Sequence, residues 1–160
     1  MGHRHEVPEG TKGAVITVSD TRTPEDDHSG GHIVQALEGK GVEIVSRVII
    51  KDEPGEVRQE VQTRLQDTDI IIITGGTGVS SRDVTIDALE FDKQLPGFGE
   101  LFRYLSYKEI GSHAMMSRAV LGIKEGVPIF CLPGSKNAVK LAMEELILPE
   151  IGHILAELRR

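Results

Sequence analysis

Four consecutive isoleucines, Ile70 to Ile73, most constrain how this chain can fold. Asp69 precedes the run, and the glycine-rich stretch TGGTG follows it. An apolar run this short is typical of a strand, and a strand without apolar–polar alternation must be covered on both faces. Strands buried on both faces occur in parallel sheets with helices above and below, so the run predicts an α/β protein.

The rest of the chain alternates strands and helices around this run. Strands are predicted over 14–19, 42–50, 69–74 and 127–133, and helices over 29–41, 54–67, 83–90, 96–111 and 134–160. Ser29 is a suitable N-cap for the first helix, and Pro149 should kink the last one. The segment 117–123 fits either element. The alternation predicts a mostly parallel sheet with helices on both faces.

Length and composition narrow the class of protein. The 160 residues fit a single domain, expected over 13–160 behind a flexible tail at 1–12. One cysteine, Cys131, excludes an internal disulfide and suits a cytoplasmic protein; its apolar strand should keep it buried and unreactive. No signal peptide or apolar run of about 18 residues is present, so no membrane span is expected. The net charge of -7 disfavours nucleic-acid binding.

Polar loops follow each predicted parallel strand. They read SDTR after the first strand, IKDEP after the second, TGGTG after the third and LPGSKN after the last. In open α/β sheets, ligands bind in the crevice beyond the carboxyl ends of the strands. The loops therefore predict one shared binding site at that edge.

The TGGTG loop matches neither familiar phosphate fingerprint. A dinucleotide-binding G-x-G-x-x-G beginning at Gly76 would need glycine where Ser81 stands, and a P-loop would need a lysine after Gly78. Successive glycines can nevertheless form a concave nest of N–H groups for phosphate oxygens. The alternative is a tight strand-to-helix turn that binds nothing.

Two aspartates follow strands at the same predicted edge. Asp83, taken alone, could cap the helix predicted at 83–90, and Asp52 could cap the one that begins near Pro54. Two carboxylates beside a phosphate cavity would repel the substrate unless a cation intervened. Mg²⁺ binds one or two carboxylates together with substrate phosphates, so the pair predicts a magnesium site.

Two further segments are considered as binding sites, one for an anion and one for zinc. Ser135 can cap the last helix, whose N-terminus, with Lys136 and Lys140 nearby, would favour an anion; the alternative is simply a well-capped helix. His28 and His32 stand four residues apart, but no third ligand accompanies them at a persuasive spacing, so we expect no zinc there.

Five ordered motifs carry a family resemblance over about residues 13–158. ITVSDTR, TGGTGVSSRDVT, PGFGELFR, SRAVLGI and LPGSKNAVK together resemble the MoaB/Mog family of molybdenum-cofactor biosynthesis proteins. The serine form of the last loop and the segment SYKEIGSHAMMSR look more like the MoaB branch. The resemblance implies a three-layer α/β/α sandwich around a mostly parallel sheet, with a molybdopterin-binding-like fold.

The resemblance also implies an activity: a cytoplasmic, Mg²⁺-dependent adenylylation of molybdopterin by ATP, giving adenylyl-molybdopterin and pyrophosphate. The family's catalytic, magnesium-binding aspartates match Asp52 and Asp83. Residues expected to bind molybdopterin or ATP are Ser19, Asp20, Thr21, Gly75, Gly76, Thr77, Gly78, Arg82, Pro133, Gly134, Ser135 and Asn137. Arg118 and Lys136 are further sources of positive charge.

Two further expectations follow from the family. Its members form homotrimers, or hexamers built as dimers of trimers. We also expect an oligomer because one small core is not expected to hold all of six apolar residues: Phe98, Leu101, Phe102, Leu105, Met115 and Met116. Some members of the MoaB branch bind the pterin without adenylating it, so the alternative function is a noncatalytic molybdopterin-binding or scaffold protein of the same pathway.

Overall fold

The computed structural model describes residues 5–160 as a six-stranded sheet with helices packed on both faces. The strands are β1 (Lys12–Val18), β2 (Glu43–Ile50), β3 (Ile70–Thr74), β4 (Lys93–Gln94), β5 (Val120–Lys124) and β6 (Val127–Leu132). The helices are α1 (His28–Glu38), α2 (Pro54–Leu65), α3 (Pro96–Ile110), α4 (Lys136–Ala142) and α5 (Leu148–Leu158). A 3₁₀ turn covers Gly111–Met116, and a π-helical turn, Met143–Ile147, joins α4 to α5.

The sheet has the strand order β2-β1-β3-β6-β5-β4. The first four strands run parallel, whereas β5 and β4 extend the sheet as antiparallel strands. The chain moves from β1 outward to β2 and then back across to β3. The direction of winding therefore reverses between β1 and β3, which is where ligands bind in such folds.

Alternating side chains of the central strands build two separate cores. Ile70 and Ile72 pack with α1, α3, α4 and α5 on one face, while Ile71 and Ile73 pack with α2 on the other. All four isoleucines are fully buried, and each such burial contributes roughly 1.5–3 kcal/mol relative to exposure. This arrangement confirms the predicted three-layer α/β/α sandwich around a mostly parallel sheet.

Two local predictions differ from the structure, and the structure assigns one segment that the sequence left open. Residues 83–90 form turns instead of a helix, held by Thr85, whose hydroxyl donates to Gly75 O and whose amide donates to Gly76 O. The N-cap of α1 is Asp27, which accepts the Gly30 amide hydrogen at 3.1 Å, and not Ser29. The segment 117–123, which fitted either element, supplies most of β5.

The long C-terminal helix predicted over 134–160 is interrupted before Pro149 by the π-helical turn. Within it, the Leu148 amide donates to the Met143 carbonyl, five residues back. The ring of Pro149 crowds the carbonyl of Glu145, four residues earlier, in a regular α-helix. The wider π-helical turn relieves that crowding. The helix is therefore irregular one turn before Pro149 and not at the proline.

The predicted tail is only partly described. Residues 1–4 lie outside the described residues, and the part from His5 to Thr11 packs against the domain. The His5 ring stacks on His153 of α5 at 5.0 Å, and the backbone crosses α5 where Gly152 leaves room. Thr11 is buried, with its hydroxyl on the Pro8 carbonyl.

None of the helices within residues 5–160 is long and apolar enough to cross a membrane. Cys131 is fully buried in β6, as predicted, and burial raises the pKa of its thiol to about 12. A thiol with that pKa carries almost no thiolate at neutral pH, so it is a poor nucleophile.

We predict that Gly152→Ala releases the N-terminal segment from α5. An added Cβ would collide with the His5 carbonyl oxygen, whereas alanine at Gly97 of α3 meets no atom within 4 Å. Limited proteolysis should therefore cut within residues 5–11 faster in Gly152→Ala than in the unsubstituted chain, and at the unchanged rate in Gly97→Ala. Equal cleavage in the two variants would show that the segment does not depend on this crossing.

Candidate functional site: the crevice at the carboxyl edge

Hydrogen bonds draw together the loops that follow the parallel strands. The Ser19 amide donates to Ile50 O at 2.8 Å, joining the ends of β1 and β2. The Gly75 amide donates to Leu132 O, and the Thr74 hydroxyl donates to Pro133 O, each at 2.8 Å, which joins β3 to β6. Ser29 adds a bond from α1 to Gly134 O at 2.8 Å. These bonds bring the four predicted loops to one edge of the sheet.

Two glycines at the end of β3 have backbones that other residues rarely adopt. Gly75 has a φ of 101°, and a Cβ there would collide with Val18 O of the neighbouring strand. Gly76 has a φ of 71°, and a Cβ there would collide with the Thr85 hydroxyl. Both positions therefore require glycine for close approach to the protein itself.

The carbonyl groups of the glycine loop accept hydrogen bonds from the protein, whereas three of its amide groups donate to no acceptor in the described part of the chain. Carbonyls of Gly75, Gly76, Thr77 and Gly78 all accept hydrogen bonds from Thr85 or Arg118. Among residues 5–160, the amides of Gly76, Thr77 and Gly78 have no acceptor. Such unpaired N–H groups can receive the oxygens of an anion.

The Asp83 carboxylate folds back over the glycine loop. Its Oδ2 accepts the Ser80 amide hydrogen at 3.0 Å, and a Cβ on Gly78 would lie only 2.7 Å from that oxygen. With turns in place of the predicted helix, the N-cap interpretation of Asp83 is wrong. Gly78 makes room for Asp83, so the third glycine serves the carboxylate as well as the loop.

Asp52 is half-buried, with its amide donating to Asp20 Oδ1 at 3.1 Å. The N-cap position of α2 belongs to Glu53, so Asp52 does not cap that helix among the described residues. Burial raises the pKa of the Asp52 carboxyl, and the nearby charges of Asp20 and Asp83 raise it further. Asp52 and Asp83 thus lie within electrostatic reach of each other.

Arg82 bridges two other loops above these carboxylates. Its Nη2 lies 2.8 Å from Asp20 Oδ2 and 3.4 Å from Glu53 Oε1. The bond from Arg82 lowers the pKa of the Asp20 carboxyl, and the bond to Asp20 raises the pKa of the Arg82 guanidinium. The arginine is more than half exposed, so an anionic ligand could compete with these carboxylates for it.

The remaining predicted binding residues occupy the rim or the floor of the crevice. Ser19 Oγ accepts the amide hydrogens of Thr21 and Arg22, at 3.2 and 3.0 Å, and shapes the turn after β1. Thr77 is buried below the surface. Ser135 caps α4 as predicted, with its Oγ accepting the Ala138 amide hydrogen at 3.2 Å. Among the other residues predicted to bind substrate or supply charge, the exposed ones are Asp20, Thr21, Gly134, Ser135, Lys136 and Asn137.

Sequence reasoning missed two features of this edge. Asp27 is a buried carboxylate that accepts from the Thr17 hydroxyl at 2.8 Å and so fixes α1 to β1. A groove of about 460 Å³ beside Ser19 and Asp20 contains Arg22, Arg47 and Lys51. The three basic residues lie on a loop and an edge strand far apart in sequence, so no motif links them.

Asp52 and Asp83 suit a magnesium ion that also binds water and phosphate better than a metal ion whose ligands all come from the protein. Within residues 5–160, no three His, Cys, Asp or Glu residues cluster as metal ligands, and this includes His28 and His32. Asp52 and Asp83 repel each other, as the raised pKa of Asp52 indicates. A hard cation that takes one or two carboxylates and completes its shell with water and phosphate oxygens fits such a pair.

A family model described as "Probable molybdopterin binding domain" matches residues 14–153. The chain belongs to that family. Molybdenum cofactor biosynthesis protein B of Bacillus subtilis (strain 168) is 48% identical over an alignment of 163 positions, which spans 99% of this chain and 96% of that protein. These findings confirm the resemblance to MoaB/Mog proteins, and to the MoaB branch in particular.

Solved structures of this molybdopterin-binding family share the fold. A crystal structure of a molybdenum cofactor biosynthesis protein B matches with a TM-score of 0.90 at 45% identity, covering 96% of this chain and 99% of that one. The tungsten cofactor synthesizing protein MoaB from Pyrococcus furiosus matches with a TM-score of 0.87 at 40% identity, covering 96% and 100%.

In this member of the family, we predict opposite effects on stability for two neighbouring aspartates. A raised folded-state pKa means that ionised Asp52 destabilises the fold at neutral pH. This cost decreases as the pH falls through the raised pKa and disappears below the ordinary pKa of 3.8. The Asp20 carboxylate instead stabilises the fold above pH 3.8, and this contribution is lost as the pH falls through its lowered pKa.

Thermal unfolding at neutral pH should therefore give a higher Tm for Asp52→Asn and a lower Tm for Asp20→Asn than for the unsubstituted chain. Near pH 3.8, the Asp52→Asn difference should be nearly gone while the Asp20→Asn difference persists. A fall in Tm for Asp52→Asn at neutral pH would contradict the inference that the ionised Asp52 carboxylate destabilises the fold.

Proposed function

We propose that this chain catalyses adenylyl transfer from ATP to molybdopterin in molybdenum-cofactor biosynthesis, releasing pyrophosphate. The observation that carries the proposal is the pair Asp52 and Asp83 beside a loop with unpaired amides, at the edge where the winding of the sheet reverses. Membership in a molybdopterin-binding family supports the pterin as one substrate.

The chain can attract two polyanions although its net charge is -7. The amides of Gly76, Thr77 and Gly78 offer donors that carry no net charge. The groove with Arg22, Arg47 and Lys51 opens beside Asp20, at the same edge. Local donors of this kind hold phosphate oxygens in place, and positioning supplies much of the acceleration in phosphoryl and nucleotidyl transfer.

The reaction forms one phosphorus–oxygen bond and breaks another. A terminal phosphate oxygen of molybdopterin attacks the α-phosphorus of ATP, and the bond from that phosphorus to the pyrophosphate oxygen breaks. The attacking phosphate is already ionised, so no general base has to remove a proton. Asp52 and Asp83 would hold Mg²⁺, which when bound screens the charges of both substrates and of the leaving pyrophosphate.

We predict that Asp83→Asn and Asp52→Asn each lower kcat for adenylyl-molybdopterin formation by at least about 10²-fold, because each removes a charge that positions the reacting phosphates. The assay contains molybdopterin, ATP and Mg²⁺, with product resolved by chromatography. Asp67→Asn is the matched control: Asp67 pairs with Arg64 just beyond α2, and this variant should keep full activity.

Binding of molybdopterin without any product, with the unsubstituted chain and Mg²⁺ present, would overturn the transferase proposal in favour of a noncatalytic pterin-binding protein. Binding of ATP with no affinity for the pterin would instead indicate a nucleotide-binding regulator. Unfolding of Asp83→Asn would point to a structural aspartate.

We also propose that the chain forms a homotrimer or a hexamer built from trimers. Of the apolar residues that suggested this, Phe98 and Phe102 are buried in the core and cannot serve an interface. Leu101, Met115 and Met116 are exposed. Three further exposed apolar residues, Tyr104, Tyr107 and Ile110, lie on α3, the helix that carries Leu101. An apolar face of this extent favours burial against another protein surface.

We predict that Leu101→Glu shifts the assembly towards monomer, because it places a charge in the apolar face. Sedimentation at micromolar concentration should show the change, and Gln59→Glu on the exposed side of α2 should leave the assembly intact. A monomeric unsubstituted chain under the same conditions would contradict the oligomer altogether.

A further inference from the structure

Arg118 makes four side-chain hydrogen bonds to the segment that carries Asp83. Its Nε donates to Gly78 O and one Nη2 hydrogen donates to Asp83 O, both at 2.9 Å. The guanidinium also forms a two-point pair with the Asp87 carboxylate, at 2.9 and 3.0 Å. The Arg118 amide adds a fifth bond, to Thr77 O at 2.9 Å. One residue thus holds the loop from 77 to 87.

The arginine reaches this loop from a distant part of the chain. Arg118 precedes β5, the antiparallel strand beside β6, about forty residues beyond the glycine loop. The loop itself has neither helix nor strand between Thr74 and Lys93. Its shape therefore depends on the bonds to Arg118, on those of Thr85, and on the contact of Asp83 with Ser80.

Because peptide groups are planar, the bonds from Arg118 to the loop carbonyls also determine which way the loop N–H groups point. In a planar trans peptide, the C=O and the following N–H point in opposite directions. When Arg118 holds Thr77 O and Gly78 O, the N–H groups of Gly78 and Val79 must point to the opposite side. That side is the one left for an anion, because neither amide has an acceptor among residues 5–160.

The charge of Arg118 is directed away from any substrate. Four of the five N–H donors of a guanidinium are used on the loop and on Asp87. The two-point pair with Asp87 fixes the plane of the group and balances its charge. This engagement argues against the earlier expectation that Arg118 supplies positive charge directly to phosphates.

We propose that Arg118, oriented by Asp87, is a positioning residue for the adenylyl transfer proposed above, on which this inference rests. It holds the backbone of Asp83 and aims the amides of Gly78 and Val79 towards the substrate phosphates without touching them. Asp87 keeps the guanidinium in the one plane from which it reaches both Gly78 O and Asp83 O.

Arg118→Lys tests this role, because lysine keeps the charge but cannot make the forked set of bonds. Arg64→Lys is the matched control: the Arg64 guanidinium on α2 also contacts two partners, Glu60 Oε1 at 3.4 Å and Asp67 Oδ2 at 3.2 Å, and both lie on or just after α2, away from the glycine loop. The first readout is hydrogen exchange of the Ser80 amide, which donates to Asp83 and reports its position without any substrate. The second is the separate measurement of kcat and of KM for ATP.

We expect the Ser80 amide to exchange about tenfold faster in Arg118→Lys than in Arg64→Lys, because the loop opens locally. We expect kcat to fall by about 10- to 100-fold, a loss typical of misplaced reacting groups, with a smaller change in KM. Asp87→Asn should give an intermediate loss in both readouts, since it weakens the pair but keeps its shape.

Three outcomes would overturn the proposal. The first is equal Ser80 exchange and equal kcat in Arg118→Lys and Arg64→Lys. The second is a rise in KM for ATP with kcat unchanged, which would make Arg118 a substrate ligand. The third is a lowered Tm that accounts for all lost activity while Ser80 stays protected. If the unsubstituted chain makes no product, the proposed function fails, and the Ser80 readout alone decides whether Arg118 holds the loop.

Discussion

The close approach of Gly75 to the end of β1 is the constraint on which the site depends. Because β1 and β3 are neighbours in the sheet, the chain leaving β3 must turn directly against Val18 O, where a side chain has no room. Only glycine with a positive φ makes that turn. The turn then points the loop across the edge of the sheet, towards the segments from β1 and β2 that carry Asp20 and Asp52.

The crevice combines like charges at short range, which a fold tolerates only when other groups compensate. Arg82 neutralises Asp20 from above, and Arg118 neutralises Asp87 from the far side of the loop. Asp52 makes no ion pair among the described residues, and its pKa is raised by burial and then by the charges of Asp20 and Asp83. The uncompensated charge therefore lies where a cation bound with substrate would remove it.

Sequence alone predicts the features that depend on neighbouring residues in the chain. The apolar runs predict the parallel strands, and their order predicts that Asp52 and Asp83 meet at one edge. The prediction that Ser29 caps α1 is wrong. Asp27 takes that position, and its carboxylate is held by a hydrogen bond from Thr17, ten residues away on β1. The helix expected at 83–90 fails because long-range bonds from Arg118 hold that segment in turns. Contacts between residues far apart in the sequence produce no local hydrophobic periodicity, so sequence patterns cannot predict them.

The glycine loop has one bonded side and one open side, and this asymmetry separates two properties of the crevice. The unpaired amides present peptide dipoles, which do not gain or lose protons. The carboxylates beside them do gain protons, and the charge of Asp52 declines as the pH falls towards its raised pKa. The proposed donors to phosphate would therefore stay unchanged as the pH falls, while the charge proposed to hold a metal would decline.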